Sequence, residues 1–288
     1  MSSELLAILA GLASAIGYGA GDFGGGYASR RTDALLVVLV SNSAGLVLLL
    51  LIAFLLAEPL PPAADLVAAA AAGTLGTIGL VRFYQELAGG KMGVIAPSVA
   101  VVTVAIPVLF SALSEGMPKT NQIVGIFLAI LAIWLITRKG ATRKREQKSA
   151  FTMRDMAVIV VIGLMFSAFL VTIGTVSERS IAWPLVAARS VSILSVILFL
   201  TITGRWGSSV PRSQLKLLSG IGFLDVGGSA MYALSSSLGR LDIAAVVTSL
   251  YPAMTVLLAR IMLSEELGRR QWLGIGLALV AIVLITIG

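Results

Sequence analysis

The side chains able to do chemistry in this chain are few, and they lie inside long apolar stretches. Only 12% of the 288 residues are charged, whereas 58% are hydrophobic. Asp22 and Asp225 each interrupt an apolar run beside several glycines. A carboxylate inside a membrane span costs about 2.5 to 3.5 kcal/mol on insertion scales, so it normally faces a cavity or a partner. We expect both acids to have coupling or gating roles.

Arginines and tyrosines in similar positions could complete a binding site. An arginine guanidinium holds a carboxylate through two parallel hydrogen bonds, and a tyrosine offers an apolar ring with a polar tip. We predict that the arginines bind an anionic group of a small organic solute and that the tyrosines pack against its apolar body. The predicted solute-binding residues are Tyr18, Arg82, Tyr84, Arg189, Tyr232 and Tyr251.

Arg82 and Arg260 also have simpler interpretations. Arg82 lies one helical turn before Glu86, so the two could pair on the same helix. Arg260 lies within a turn of a polar loop, so its side chain could extend to the membrane surface. If the spans alternate in direction, however, Asp22, Arg82 and Arg260 all lie one to two turns inside the same membrane face. We therefore hypothesise that Asp22 pairs with Arg82 or Arg260 to form a gate.

Asp225 is the most costly of these residues, because it lies near the middle of its apolar stretch. No base occurs within one turn on the same helix, and the charged carboxylate is hard to hydrate there. We predict that Asp225 carries a coupling proton and ionises when the cavity opens to water or when Arg189 approaches. The alternative is a neutral or paired aspartate that only bonds a neighbouring helix at its glycine-rich contact.

Ten apolar stretches must position these residues, each near the 20 residues that a helix needs to cross a bilayer. The mean hydropathy of +1.00 is typical of a membrane protein rather than a soluble domain. We predict an all-α integral membrane protein with ten transmembrane helices. The predicted spans are 5–27, 35–56, 66–87, 94–113, 122–137, 156–176, 185–202, 215–234, 244–263 and 271–287.

The two halves of the chain resemble each other. Residues 122–137 and 271–286 share ten identities in sixteen positions, which indicates an internal duplication. Five spans per copy would place the second copy upside down, so we predict two inverted five-helix repeats around a central cavity. The predicted units are residues 1–140 (first repeat), 141–154 (a basic connecting loop) and 155–288 (second repeat).

Prolines interrupt two spans at corresponding places in the halves. Pro97 and Pro107 lie in the fourth span, and Pro252 lies in the ninth. Proline frees a backbone carbonyl and bends the helix, which membranes tolerate where neighbours or a water-lined cavity satisfy that carbonyl. Interrupted helices at matching positions are typical of the central site of a transporter.

The composition excludes several other kinds of site. The chain has no cysteine and no histidine, which excludes thiolate metal centres and imidazole acid–base chemistry. The sequence shows no nucleophile–base pair either, so we predict no enzymatic activity, no cofactor and no bound metal. The net charge of +7 could suggest nucleic acid, but the basic residues lie in loops between spans, where they set membrane orientation.

Together these features resemble the ten-helix, EamA-type exporters of the drug/metabolite transporter superfamily. The resemblance covers essentially the whole chain and is most specific at Tyr251-Pro252, the acidic turn Glu265-Glu266, Gln271 and Gly274. The counterparts in the first half are Glu115, Gln122 and Gly125. The resemblance implies a cavity between spans one to four and six to nine, with the fifth and tenth spans at the periphery, and alternating access by rocking of the halves.

We therefore predict a secondary active transporter of the cell inner membrane that exports a small metabolite, either amino-acid-like or otherwise anionic or zwitterionic, with proton coupling. The first alternative is an efflux protein for drugs or cationic compounds. A second, less favoured alternative is a membrane assembly protein that transports nothing. The expected partners are a small-molecule substrate and the lipid bilayer, with no nucleic acid. A homodimer would form through the fifth and tenth spans.

The basic residues also predict the orientation of the chain. The loops after odd-numbered spans contain fifteen lysines and arginines, and those on the other face contain three. The positive-inside rule then places both termini outside, whereas members of the family usually keep both termini in the cytoplasm. Because the chain has no cysteine, Ser2→Cys and Ser149→Cys each report on one face. We expect an impermeant maleimide to label Ser2→Cys but not Ser149→Cys in intact cells, and the reverse pattern would show the family orientation.

Overall fold

Helices account for most of the chain in the computed structural model, which describes residues 3–88, 95–96, 99–100, 102–103, 119–137, 153–177, 179–207, 210–263 and 269–287. No strand occurs within these ranges. One turn of 3₁₀ helix, Arg205–Gly207, follows the sixth helix. The helices are α1 (Ser3–Ala28), α2 (Ala34–Leu55), α3 (Ala63–Glu86), α4 (Thr120–Thr137), α5 (Met153–Val176), α6 (Ala182–Thr203), α7 (Arg212–Leu238), α8 (Leu241–Thr248), α9 (Tyr251–Leu263) and α10 (Arg269–Ile287).

Six helices in the described ranges are long and apolar enough to cross a membrane. They are α1, α2, α3, α6, α7 and the part of α5 that begins at Met156. The 26 residues of α1, at about 1.5 Å per residue, exceed the roughly 30 Å of a bilayer's hydrocarbon core. Shorter apolar segments occur within α4, at Ile123–Ala132, and across α8 and the start of α9, at Leu241–Thr255. The six long helices coincide with six predicted spans, and the fourth span, 94–113, falls mostly outside the described residues.

The ninth predicted span, 244–263, is not one continuous helix. α8 ends at Thr248, Ser249 and Leu250 form a turn, and α9 begins at Tyr251. Pro252 follows this break, and because proline has no N–H it cannot donate a hydrogen bond to the Thr248 carbonyl. The chain thus places non-helical backbone inside an apolar segment, an arrangement that membranes tolerate where it lines a cavity or is buried in protein.

Helices from the two halves of the chain pack against each other around the centre of the molecule. α1 lies along α7 and also contacts α8 and α9. α2 packs against α6 and α7, α3 packs against α5 and α6, and α4 packs against α10. Buried apolar side chains such as Val37, Phe83 and Ile162 fill these contacts. Contacts between the halves therefore enclose the centre of the bundle.

Polar contacts join the halves at both ends of α2 and α6. At one end, Glu58 Oε2 accepts hydrogen bonds from the Ser180 hydroxyl (2.6 Å) and from the Ala182 backbone N–H (2.8 Å). At the other end, Asp33 forms an ion pair with Arg205 at 2.9 Å. The end of α2 therefore lies beside the start of α6, and the end of α6 lies beside the start of α2. The two helices run antiparallel.

Glycines allow several of these helices to approach closely. A Cβ on Gly222 of α7 would clash with the Ser41 carbonyl of α2, and a Cβ on Gly73 of α3 would clash with the Ala188 backbone of α6. Small residues at such contacts are typical of helix packing in membranes, where the backbones come close together. The positions of α2 and α3 against the second half depend on these contacts.

We expect Gly222→Ala to separate α2 from α7 and to lower the midpoint of thermal unfolding in detergent by several degrees. The new methyl group would meet a backbone carbonyl, which has no rotamer to move into. Gly220→Ala on the same helix is the matched control, because a Cβ there meets nothing within 4 Å. Alanine also has a higher helix propensity than glycine, so this control should not lower the unfolding midpoint. Equal unfolding midpoints for the two variants would contradict the close contact.

Candidate functional site

A cavity lies at the centre of the bundle, between α1, α3, α5, α6, α7 and the break before α9. The volume that the centres of water molecules can occupy in this cavity is about 80 Å³, which is enough for roughly five waters. Its charged lining residues are Asp22, Arg189 and Asp225, with Tyr18 and Tyr251 beside them. The rest of the lining mixes hydroxyl groups with apolar rings and includes Thr77, Thr103, Phe166, Phe169 and Ser192.

Arg189 of α6 is the centre of the hydrogen-bonded network in this cavity. Its guanidinium forms an ion pair with Asp225 of α7. It also donates hydrogen bonds to Asn42 Oδ1 of α2 at 2.7 Å and to Ser229 Oγ of α7 at 3.0 Å. Only 7% of Arg189 is exposed, and a charge so deeply buried is tolerated when it is paired and hydrogen-bonded. The network therefore ties α2, α6 and α7 together at one point.

Hydroxyl groups extend this network to α1. The Tyr18 hydroxyl donates to Ser229 Oγ at 3.0 Å, and Ser229 Oγ donates to the Asp225 carbonyl at 2.9 Å. Two nitrogen atoms of the network, Arg189 Nε and Asn42 Nδ2, are buried and have no hydrogen-bond partner in the part of the chain that the structure describes. Buried donors are nearly always satisfied in folded proteins, so these two nitrogens are exceptions.

Asp22 of α1 lines the cavity, and within the described ranges its carboxylate has no hydrogen bond and no ion pair. Asp225, Tyr18 and Tyr251 line the same cavity. No group of three His, Cys, Asp or Glu side chains in the described part of the chain could hold a metal ion. Among its described residues, the cavity thus combines one paired acid, one partly buried acid without an ionic partner, and one base.

The break between α8 and α9 contributes a second set of polar groups. Thr248 and Ser249 line the cavity, and the Thr248 hydroxyl is buried with no hydrogen-bond partner among the described residues. Tyr251, the first residue of α9, is 7% exposed, and its hydroxyl is 3.5 Å from the Ala96 carbonyl. Interrupted helices of this kind form the substrate and ion sites of many transporters.

Two predicted solute-binding tyrosines do not line the cavity in this conformation. Tyr232 is fully buried, and its hydroxyl donates to the Leu170 carbonyl at 2.8 Å. Tyr84 is 1% exposed, and its ring packs directly against Gly25 of α1. Both side chains therefore have packing or hydrogen-bond contacts with other helices.

Asp22 and Arg82 do not pair in this conformation, and their pairing as a gate stays a prediction. Arg82 donates to Gln85 Oε1 at 2.9 Å and pairs with Glu86 at 3.2 Å, both on its own helix, and its side chain is 44% exposed. The pair within one helix, the simpler interpretation, is the one found. The side chain of Arg260, together with Pro97 and Pro107, lies outside the described residues.

Sequence reasoning missed the neutral members of the network. Asn42 carried a signal, because an amide within an otherwise apolar span needs a hydrogen-bond partner in the membrane. Ser229 and Thr248 carried none, since serine and threonine in helices commonly bond a carbonyl of their own preceding turn, as the Ser43 hydroxyl does to Leu39 at 2.7 Å. Only their positions next to Arg189 and the helix break distinguish them.

The fold and the site define a multi-pass membrane protein whose described residues form helices, with a charged cavity between its halves. The model of the EamA-like transporter family matches the chain twice, over residues 5–138 and 155–287. The chain therefore belongs to the EamA-like transporter family.

Solved structures share this fold. Similarity is found to 26 solved chains. One of them, a crystal structure, superposes with a TM-score of 0.71 over 98% of this chain and 96% of the other, at 15% sequence identity. At that identity the likeness shows the fold alone. No curated protein matches the chain.

The network makes a prediction for stability. Asp225→Leu leaves the Arg189 charge buried without its counter-ion, and breaking a buried pair from one side costs about 3 to 5 kcal/mol. Arg189→Met combined with Asp225→Leu removes both charges, so we expect the double variant to unfold at a higher temperature in detergent than Asp225→Leu alone. If the two single effects simply added, Arg189 and Asp225 would not be coupled.

Proposed function

We propose that this protein is a secondary active transporter of the cell inner membrane that exports a small anionic or zwitterionic metabolite. The observation that carries the proposal is the buried pair of Arg189 and Asp225 in the central cavity. Membership of the EamA-like transporter family supports transport as the general activity. Arg189 would bind the solute, Asp225 would carry the coupling proton, and Tyr18 and Tyr251 would contact the body of the solute.

A carboxylate of the solute would compete with Asp225 for Arg189. The forked donors of a guanidinium match a carboxylate group, and Arg189 Nε has no acceptor among the described residues. The hydrogen bonds from Arg189 to Asn42 and Ser229 would hold the guanidinium in place while one carboxylate replaces the other. The site would therefore keep its shape through the exchange.

A proton links the two states of the site. The ionised Asp225 carboxylate neutralises Arg189, and a protonated Asp225 leaves the guanidinium charge available to the solute. A neutral carboxylic acid is also much easier to accommodate in the membrane than a carboxylate. Proton and solute would thus bind together and cross in the same direction. Export would then be driven by the outward gradient of a solute that accumulates in the cell, and an inward proton gradient would oppose it.

The organisation of the chain in two halves supports alternating access. The family model matches each half once, and we propose ten spans in two inverted repeats, in which one half rocks against the other around a central site. The contacts of Glu58 with Ser180 and of Asp33 with Arg205 join the halves at opposite ends of α2 and α6. Opening one face would break one contact and leave the other in place.

Efflux of organic cations is the second candidate, and Asp22 is the observation that favours it. A solute with only a positive charge would, however, leave Arg189 unused and would enter a cavity that already contains the Arg189 charge. The space of about 80 Å³ also suits a small solute better than a drug-sized molecule. A solute with at least one carboxylate therefore fits the site best.

Asp225→Asn tests the proposed coupling, because asparagine keeps the size and hydrogen-bonding capacity of aspartate but does not titrate. Solutes are first identified by their ability to raise the unfolding temperature of the purified protein. In proteoliposomes, we expect Asp225→Asn to lose net flux driven by a pH gradient and to retain exchange of labelled for unlabelled solute. Asp65→Asn, which lies in the first turn of α3 outside the cavity, is the control. Normal pH-driven flux in Asp225→Asn would contradict the coupling role.

A further inference from the structure

The loop between α2 and α3, residues 56–62, begins with a strained turn. The Ala57 N–H donates to the Phe54 carbonyl at 3.2 Å, and the Glu58 N–H donates to the Ala53 carbonyl at 3.2 Å. These two bonds form a Schellman motif, in which the residue at the position of Ala57 is left-handed and is usually glycine. Ala57 has a φ of 46° and is the one described residue other than glycine with a positive φ. The chain therefore accepts a conformation that alanine disfavours directly before Glu58.

Prolines stiffen the rest of this loop, which we call the strap. Pro59, Pro61 and Pro62 lie between Glu58 and the first residue of α3. Proline fixes φ near −65°, and Pro62 has φ −54° and ψ 147°, which is extended polyproline backbone. A chain of this kind keeps its shape when the helices on either side of it move. The strap therefore moves together with the ends of α2 and α3.

Glu58 attaches the strap to the second half of the chain. Its Oε2 accepts hydrogen bonds from the Ser180 hydroxyl at 2.6 Å and from the Ala182 N–H at 2.8 Å. The Glu58 backbone carbonyl accepts a third bond from the Trp183 indole N–H at 3.1 Å. The Phe54 ring meets the Trp183 ring edge-on, with 5.6 Å between the ring centroids. Side chain, backbone and ring contacts thus meet at one place.

The start of α6 depends on this attachment. The first N–H groups of a helix have no partner within the helix, and the residue that precedes α6, Ile181, supplies no side-chain hydrogen bond to them. Glu58 supplies an acceptor from the other half, and a negative charge at that end of a helix is favourable. Arg189 follows Ala182 by about two turns on the same helix. The strap therefore holds the helix that carries the base of the cavity.

The contact at the opposite end of α2 and α6 is of a different kind. Asp33 accepts a hydrogen bond from the Leu35 N–H at 2.9 Å, so it caps its own helix, and it also pairs with Arg205. The Arg205 side chain is 50% exposed. An ion pair in water contributes little and is weakened by salt. The contacts of Glu58 therefore hold their face more firmly than this ion pair holds the other.

We propose that the strap is a latch for one face of the cavity. Glu58 docks on Ser180, Ala182 and Trp183 when that face is closed, as in the conformation described, and leaves them when the face opens to water. This inference rests on the proposed function, in which the two halves rock around a central site. It adds the segment whose release that motion requires.

The rate at which a reagent reaches the cavity tests the latch. Ser192 lines the cavity and is 2% exposed, so a cysteine at this position reacts with a bulky reagent only when the cavity opens. The chain has no cysteine of its own, and Ser192→Cys therefore gives a single reporter. Right-side-out and inside-out membrane vesicles each offer one face to an impermeant methanethiosulfonate reagent.

In this background we expect Glu58→Ala to raise the labelling rate about 10-fold from the face of the strap, the effect of roughly one hydrogen bond to a charged group. The rate from the other face should not rise. Asp65→Asn, in the first turn of α3 directly after the strap, is the matched control and should label like the background. Glu58→Gln keeps the size of the side chain without its charge, and it should give a smaller rise in the same direction even if Glu58→Ala does not fold.

Ser180→Ala tests whether the partner acts through Glu58. It should raise the rate from the same face, and adding it to Glu58→Ala should raise the rate no further, because the two residues share one contact. An unchanged rate in Glu58→Ala and Glu58→Gln, or an equal rise from both faces, would show that Glu58 only stabilises the fold and would overturn the latch.

A crosslink tests whether the strap must move during transport. In proteoliposomes, Glu58→Cys combined with Ser180→Cys is joined by a short bifunctional methanethiosulfonate, which should stop solute flux until a reducing agent restores it. Continued flux through the crosslinked protein would overturn the latch and leave the transporter proposal standing. Face-specific labelling that depends on Glu58, in a protein that carries no solute, would contradict the transporter proposal and leave the latch standing.

Discussion

Arg189 and Asp225 form an ion pair within an apolar bundle, where water cannot hydrate either charge well. The attraction between opposite charges is stronger there than in water, but the cost of removing both from water offsets much of it. Asn42 and Ser229 supply the additional hydrogen bonds that such a pair requires. The intact pair therefore adds little net stability, whereas removal of one partner leaves the other charge buried and uncompensated at a high cost in free energy. A ligand group or a proton that takes the place of one partner would avoid that cost.

Close helix contacts are what bring these partners within reach of one another. Gly17 of α1 meets the backbone at Gly228 of α7, and the Tyr18 ring packs on Gly228 before its hydroxyl reaches Ser229. On the opposite side, Gly222 lets α7 approach Ser41, the residue before Asn42. A larger side chain at Gly17 or Gly228 would push α1 and α7 apart, and one at Gly222 would push α2 and α7 apart. Tyr18 or Asn42 would then move away from the network around Arg189. The glycine-rich sequence thus acts on the site through backbone distance.

The remaining polar groups of the cavity are less well satisfied than those of the pair. Among the described residues, Asp22 has no ionic partner, and Arg189 Nε and Thr248 Oγ1 are buried without a hydrogen-bond partner. Unsatisfied buried groups weaken a fold, and natural proteins accept such costs mainly at functional sites. These residues all line one cavity, beside a helix that is broken at Ser249.

The sequence by itself determined that the chain is helical and membrane-spanning, because in lipid a helix satisfies its own backbone hydrogen bonds. The same constraint made Asp22, Arg189 and Asp225 recognisable, since charges are rare in apolar spans. What only the tertiary structure decided is which of these groups meet. Periodicity along one helix can place Arg82 beside Glu86, but it cannot show that Arg189 meets Asp225 and Asn42 on two other helices. Partner choice between helices depends on their relative depth and rotation, which close backbone contacts set and which no pattern along a single helix records.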